Sequence, residues 1–219
     1  MKQLTYTALA YADEQPYERG TETLFTDDAR TGVQYWARKG GGTLRITFRG
    51  SDNPRDYLTH LRFWKMAVPY NNDSSRIRVH NGFINAYKVN RVRAKIQSMI
   101  DSTVDKIIVS GHSYGAALAV LCAVDLQYNF KGKDVAVFLF GCPRVGNAAF
   151  AASYNRRVFK TFRVENSNDV VTKLPFAFMG YRHVGVTLRI GAPKVAFWFS
   201  FRDHLPREYY RQLWKRLRL

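Results

Sequence analysis

The chain has 219 residues, enough for one folding unit with a full hydrophobic core and too few for two ordinary domains and a linker. Hydrophobic residues make up 46% and aromatic residues 15% of it, which excludes the disordered, collagen-like and low-complexity classes. The 34 Lys and Arg against 17 Asp and Glu leave a formal charge of +17, a balance that favours polyanionic partners or an anionic membrane face without choosing between nucleic acid and lipid.

Met1 to Asp13 lacks the apolar run and small-residue cleavage site of a secretion signal. The most apolar stretch, Val195 to Phe201, is only strand-length, so no membrane-spanning helix is expected. The expected location is the cytoplasm or a membrane periphery. Cys122 and Cys142 fit no metal spacing and read as two free, buried thiols. No repeat or linker divides the chain, which predicts one domain over residues 1–219.

Val33 to Arg38 and Thr43 to Phe48 alternate apolar and polar residues around Lys39-Gly40-Gly41-Gly42, the pattern of a hairpin. The glycine run lacks the Gly-Lys-Ser/Thr that would make it a phosphate loop. Apolar residues at near-helical spacing from Ile84 to Val104 predict one long surface helix. Lys106 to Ser110 reads as a buried strand, Gly111-His112-Ser113-Tyr114-Gly115 as a tight turn, and Ala116 to Leu121 as a helix. A second such unit follows: strand Val135 to Phe140, a helix near Asn147 to Tyr154, and a strand from Val158 to Val164. Strands at His183 to Ile190 and Lys194 to Phe199 and a helix after Asp203 complete the chain. Strands alternating with helices predict an α/β fold with a mostly parallel central sheet flanked by helices.

Gly-x-Ser-x-Gly between a buried strand and an Ala-rich helix is the setting of a nucleophile elbow, which presents Ser113 on a strained turn while Gly111 and Gly115 let the chain pass close by. Such a serine needs a base to take its proton and a carboxylate to fix the imidazole, and on this scaffold they follow in the order Ser, Asp, His. Only His183 and His204 lie downstream. His183 opens an alternating strand and is readily explained as structural, whereas His204 sits in a loop before the last helix, which favours His204. Asp169 directly follows a predicted strand, while Asp203 is too close to His204 in sequence to bond its ring, so Asp169 is the expected acid. Two backbone donors are then needed for a tetrahedral oxyanion, and the amides of Tyr114 and Ser51 are the candidates. His112, within the elbow, and His80 have no partners at ligand spacing, so no metal and no cofactor are expected.

Thr47 to Asp52, Val79 to Phe83, Gly111 to Ala119, Phe140 to Asn147, Asn168 to Pro175 and Asp203-His204 together resemble the class 3 lipases, the fungal-type triacylglycerol lipase family of α/β hydrolases. The resemblance covers roughly Val33 to Tyr210 and keeps the family's motif order. It implies an α/β-hydrolase fold and an esterase using Ser113, Asp169 and His204, with the Ser51 and Tyr114 amides binding the oxyanion and the Ser51 hydroxyl as a third donor. It also implies a helical lid over Asn53 to Trp64 with Tyr57, Leu58, Leu61 and Trp64 on one face, where the alternative is an ordinary amphipathic helix packed on the core. The chain departs from secreted fungal members in lacking a leader and a disulfide set, which argues against extracellular fat digestion.

The last helix places Tyr210, Leu213, Trp214 and Leu217 on one face and Arg207, Arg211, Lys215 and Arg218 on another, a profile that suits an anionic membrane surface as well as core packing with a solvated basic face. The expected activity is hydrolysis of lipid carboxylic esters, acylglycerols first. A phospholipase A1, a short-chain esterase and an acyltransferase are the alternatives within that chemistry, and a basic lipid- or nucleic-acid-binding protein on a hydrolase scaffold is the alternative outside it.

Overall fold

The computed structural model describes residues 20–28, 31–51, 66–69, 72–192 and 199–217. The elements in chain order begin with strands β1 (Glu22–Asp28), β2 (Val33–Gly40), β3 (Thr43–Phe48), β4 (Met66–Ala67) and β5 (Val79–His80). Helices α1 (Asn81–Lys88) and α2 (Val92–Ser98) precede strand β6 (Lys106–His112) and helix α3 (Tyr114–Asn129). Then come β7 (Asp134–Phe140), β8 (Gly146–Asn147), α4 (Ala148–Arg157), β9 (Thr161–Asn166), β10 (Tyr181–Arg182), β11 (Val186–Ile190) and α5 (Pro206–Leu217).

Seven strands form the main sheet in the order β1-β2-β3-β6-β7-β9-β11. The first three pair antiparallel, and β3, β6, β7, β9 and β11 pair in parallel, so the expected mostly parallel α/β sheet is observed. The centre of the sheet is built from β-branched runs such as Ile107-Ile108-Val109, buried on both faces as parallel strands require. The short strands β10, β8, β5 and β4 make a second, four-stranded sheet.

Helix α3 is apolar around its whole circumference, with Tyr114 through Leu126 buried, because it packs against the sheet on one side and α1 on the other. Its one buried charge, Asp125, accepts from the Tyr87 hydroxyl at 3.0 Å, the Arg93 guanidinium at 2.9 Å and the Gln97 amide at 3.0 Å. This cluster accounts for a departure from the sequence reading. Instead of one helix from Ile84 to Val104, the chain breaks at Val89–Arg91, with Arg91 in the left-handed region at φ 59°. In a continuous helix Tyr87 and Arg93 would point in directions about 120° apart, and the break turns both onto Asp125.

His80 is also explained: it caps α1, its Nδ1 accepting the Phe83 amide at 3.3 Å. His183 lies between β10 and β11 rather than at the start of a strand. Cys122 and Cys142 are free and buried. Of the expected strand Lys194 to Phe199 all but Phe199 lies outside the described residues, as does the whole segment Asn53 to Trp64 with Tyr57, Leu58, Leu61 and Trp64. Among the described residues no helix is long and apolar enough to cross a membrane.

Replacing Asp125 by Ala removes the acceptor on which three elements converge and leaves the buried Tyr87 hydroxyl without it. The loss of stability is expected to be about 2–4 kcal/mol, read from the urea midpoint.

Candidate functional site

The site forms at the C-terminal ends of β3, β6, β7 and β9. Strand β6 ends at His112, and the chain turns through Ser113 at φ 57° and ψ −126° before α3 begins at Tyr114. A left-handed φ is costly for a residue with a side chain, by roughly 1–3 kcal/mol, and the turn persists because its surroundings leave no other path. The Ser113 amide donates to the Phe140 carbonyl at 2.9 Å, tying the elbow to β7. A Cβ on Gly111 would lie 2.4 Å from the Gly115 carbonyl oxygen, and one on Gly115 would lie 2.4 Å from that of Arg49. Both glycines are therefore required by close approach of backbone.

The contact between Gly115 and Arg49 brings the end of β3 against the elbow. Phe48 is in register with Gly111, and the chain leaves the strand through Arg49 and Gly50 to Ser51, which is half-buried. Tyr114 is the first residue of α3, so helix geometry directs its amide out of the helix body. The elbow and the β3 turn thus lie together.

Asp169 follows β9 and is fully buried, as is His204, while Ser113 is 4% exposed. His204 Nδ1 lies 2.9 Å from Asp169 Oδ2, and its Nε2 lies 2.7 Å from Ser113 Oγ. The structure therefore joins the three residues singled out by chain order into one hydrogen-bonded line. His183 is not part of it: its Nε2 bonds the Thr172 carbonyl at 2.8 Å.

Residues 45–179 match the family described as Lipase (class 3). The chain belongs to the class 3 lipase family.

Its curated relatives include the chloroplastic phospholipase A(1) DAD1 of Arabidopsis thaliana, 32% identical over 84% of this chain and 44% of that protein, and a lipase of Rhizomucor miehei, 34% identical over 65% of this chain and 40% of that one. The chain thus spans less than half the length of either. Among solved structures, the Rhizomucor miehei lipase propeptide complex superposes with a TM-score of 0.74 at 26% identity, covering 86% of this chain and 68% of that one. A mono- and diacylglycerol lipase from Aspergillus oryzae gives 0.72 at 27% identity, covering 88% and 79%. The central sheet and its flanking helices are the α/β-hydrolase fold of these lipases.

Three further residues hold the line of this class 3 lipase family member in place, and the sequence reading gave them no such part. Tyr209 donates its hydroxyl to Asp169 Oδ2 and accepts the Asn166 amide at 3.2 Å. It lies 40 positions from its partner, and nothing local in the sequence marks it. Gly141, with φ +58°, sits beneath the pair: a Cβ there would be 2.8 Å from His204 Cε1 and 3.0 Å from Asp169 Oδ2. The signal for Gly141 was its place in the Phe140 to Asn147 motif, although the motif does not say what it touches. His112 donates Nε2–H to the His204 carbonyl at 2.7 Å, and the two rings stack at 4.6 Å.

Burial works to raise the Asp169 carboxyl, but His204 and the Tyr209 hydroxyl outweigh it and hold the group below the usual carboxylate range. The Tyr209 hydroxyl is pushed well above its ordinary value by burial and by Asp169, which keeps it a donor. Burial, with His204 adding to it, pushes His112 down to about 3, so it is neutral and carries its proton on the nitrogen facing the carbonyl. Burial likewise pushes His183 down to about 3, with Arg163 as the next cause. Among the described residues no group of three His, Cys, Asp or Glu is placed to hold a metal ion.

Two measurements follow from these contacts. Gly141→Ala forces a methyl group into the His204–Asp169 pair, so the rate at which a fluorophosphonate probe labels Ser113 is expected to fall about a hundredfold, as for other ångström-scale displacements of reacting groups. The two buried histidines set a pH dependence of stability. Below their unfolded pKa, about 6.5, the unfolded chain takes up protons that the folded chain refuses, so stability is intact above that value and falls as the pH drops toward 3. Urea unfolding at pH 7.5 and pH 5 should differ by about 4 kcal/mol, the lower pH being less stable, and equal midpoints would contradict it.

Proposed function

We infer that the protein hydrolyses carboxylic esters of lipids through an acyl-enzyme on Ser113. The observation that carries this is the line Ser113 Oγ–His204 Nε2–His204 Nδ1–Asp169 Oδ2, at 2.7 and 2.9 Å, with the serine on a strained elbow. His204 takes the Ser113 proton as the oxygen attacks the ester carbonyl, and returns it to the departing alcohol. Water then attacks the acyl-enzyme with His204 again as base. Asp169 fixes the ring with Nδ1 protonated and faces the imidazolium that forms. The Ser51 and Tyr114 amides are the donors for the tetrahedral oxygen.

Acylglycerols are the first substrate class, in keeping with the lipases of Rhizomucor miehei and Fusarium solani among the relatives. Phospholipid acyl esters are the second, favoured by the phospholipases A1 of Arabidopsis thaliana and rice and by the +17 charge, which suits an anionic headgroup.

Hydrolysis of p-nitrophenyl esters from acetate to palmitate tests the chemistry. Ser113→Ala and His204→Ala are each expected to lower kcat by about a thousandfold or more, since members of such a line act as a unit. His183→Ala should leave kcat nearly unchanged and lower the melting temperature. Full turnover by Ser113→Ala would end this reading, and loss of turnover in His183→Ala with retention in His204→Ala would reverse the choice of base.

A further inference from the structure

From Val135 onward the chain carries fifteen Lys and Arg and only four Asp and Glu. All four acids, Glu165, Asp169, Asp203 and Glu208, are buried. Each is turned to internal use: Asp169 holds His204, Glu165 meets Arg163 and Lys173, Asp203 accepts the Asn168 amide, and Glu208 lies between Arg202 and Arg211. The surface of this part of the chain consequently offers basic side chains and no carboxylate side chain.

Much of that charge gathers on α5. A spacing of four aligns Arg207, Arg211 and Lys215 in one row on its exposed face, and Tyr210 and Trp214 form the neighbouring row. The two rings stack with centroids 6.2 Å apart and remain 39% and 42% exposed. Beside the helix, β11 is the last strand of the sheet among the described residues, with Val186 and Leu188 exposed. The groove between strand and helix has Leu188, Ile190 and Leu213 in its lining together with Arg189 and Arg216. Guanidinium groups beside amphipathic rings and exposed aliphatic side chains suit the boundary between lipid headgroups and acyl chains. Duplex nucleic acid would satisfy the charge but offers no apolar phase for Val186 and Leu188.

We propose that the exposed face of α5, with the adjoining edge of β11, docks on an anionic phospholipid surface, the Arg207–Arg211–Lys215 row meeting headgroup phosphates and the Tyr210–Trp214 pair lying at the headgroup boundary. The proposal deepens the lipid-ester reading and rests on it for its purpose, while binding itself needs no turnover. The docking helix is tied to the reaction centre, since its buried Tyr209 bonds Asp169 and it begins two residues after His204.

The test uses the full chain carrying Ser113→Ala, which leaves vesicles intact, and co-sedimentation at physiological salt with vesicles of phosphatidylcholine alone or mixed with phosphatidylglycerol. Binding is expected to the mixed vesicles and not to phosphatidylcholine alone. Each basic residue at such a surface contributes about fivefold in partition, so R207Q/R211Q/K215Q should weaken binding about a hundredfold. Trp214→Ala should weaken it as well. The triple variant K95Q/K106Q/K131Q removes the same charge from exposed positions elsewhere and should bind nearly as the parent does. Equal loss in the two triple variants, equal binding to both vesicle types, or release from vesicles by competing duplex DNA would overturn the proposal. Hydrolysis of soluble p-nitrophenyl butyrate by chains retaining Ser113 separates the two readings and shows that the α5 variants are folded. Intact hydrolysis without vesicle binding overturns docking and leaves the hydrolase standing. Vesicle binding by a chain with no hydrolysis supports docking and overturns the hydrolase.

Discussion

Three positions at the heart of this protein have no room for a Cβ atom, and the Ser113–His204–Asp169 line exists because they are glycines. Gly111 and Gly115 allow the β6 turn, the start of α3 and the end of β3 to pack backbone against backbone. That contact sets Ser113 on a left-handed turn and brings the end of β3, which runs on through Arg49 and Gly50 to Ser51, against the elbow. Gly141 does the same from β7, letting the His204 ring and the Asp169 carboxylate come down onto main chain. Interiors are packed as densely as organic crystals, so a methyl group at any of these points displaces a reacting group instead of filling a void. The strain at Ser113 is held by neighbours that cannot move apart.

The second constraint is the buried carboxylate of Asp169. A charge taken fully out of water is strongly unfavourable unless donors surround it. Here the Val171 amide serves Oδ1 at 2.8 Å, while His204 and Tyr209 share Oδ2. Those donors come from three places in the chain, the loop after β9, the loop before α5, and α5 itself. Satisfying one carboxylate thereby fixes the position of the last helix against β9 and β11. Tyr209 joins Phe140, Val164 and Ile190 in a small separate cluster, so the hydrogen bond and the apolar packing act on the same side chain.

Much of this was legible in the sequence because it is written in local pattern. The β-branched runs of β6 and β7 and the alternation of β2 and β3 signal strands, and Gly-x-Ser-x-Gly between strand and helix signals the turn. Chain order then limits the histidine to two positions. What local pattern does not carry is contact between distant residues. The break at Val89–Arg91 contains neither Gly nor Pro, and its cause is Asp125, more than thirty residues away. Tyr209 reads as one of two adjacent tyrosines on an amphipathic helix, and only the fold shows that it faces Asp169 while Tyr210 faces out. Strand β1 carries no local signal because it is an edge strand whose Glu-Thr-Leu-Phe-Thr-Asp-Asp sequence is largely exposed, so the core does not impose alternation on it. The even spread of basic residues along the chain likewise hides that the late acids are all buried.

That last point gives α5 two faces of different chemistry. Its inner face carries Tyr209 to the Asp169 carboxylate, and its outer face carries arginines beside a stacked Tyr–Trp pair. On the proposed ester chemistry, a soluble ester diffuses to Ser113 and needs only the inner face. On the proposed reading, an ester held in a lipid assembly does not leave it, so the protein would have to come to the assembly, and its encounter rate would then depend on charge at the outer face. The burial of all four late acids serves both faces at once, because each carboxylate turned inward to hold a histidine, an arginine or an amide is also a carboxylate withheld from the surface. Core electrostatics and surface electrostatics are in this way a single arrangement: moving an acid outward would weaken the interior and lower the positive potential outside.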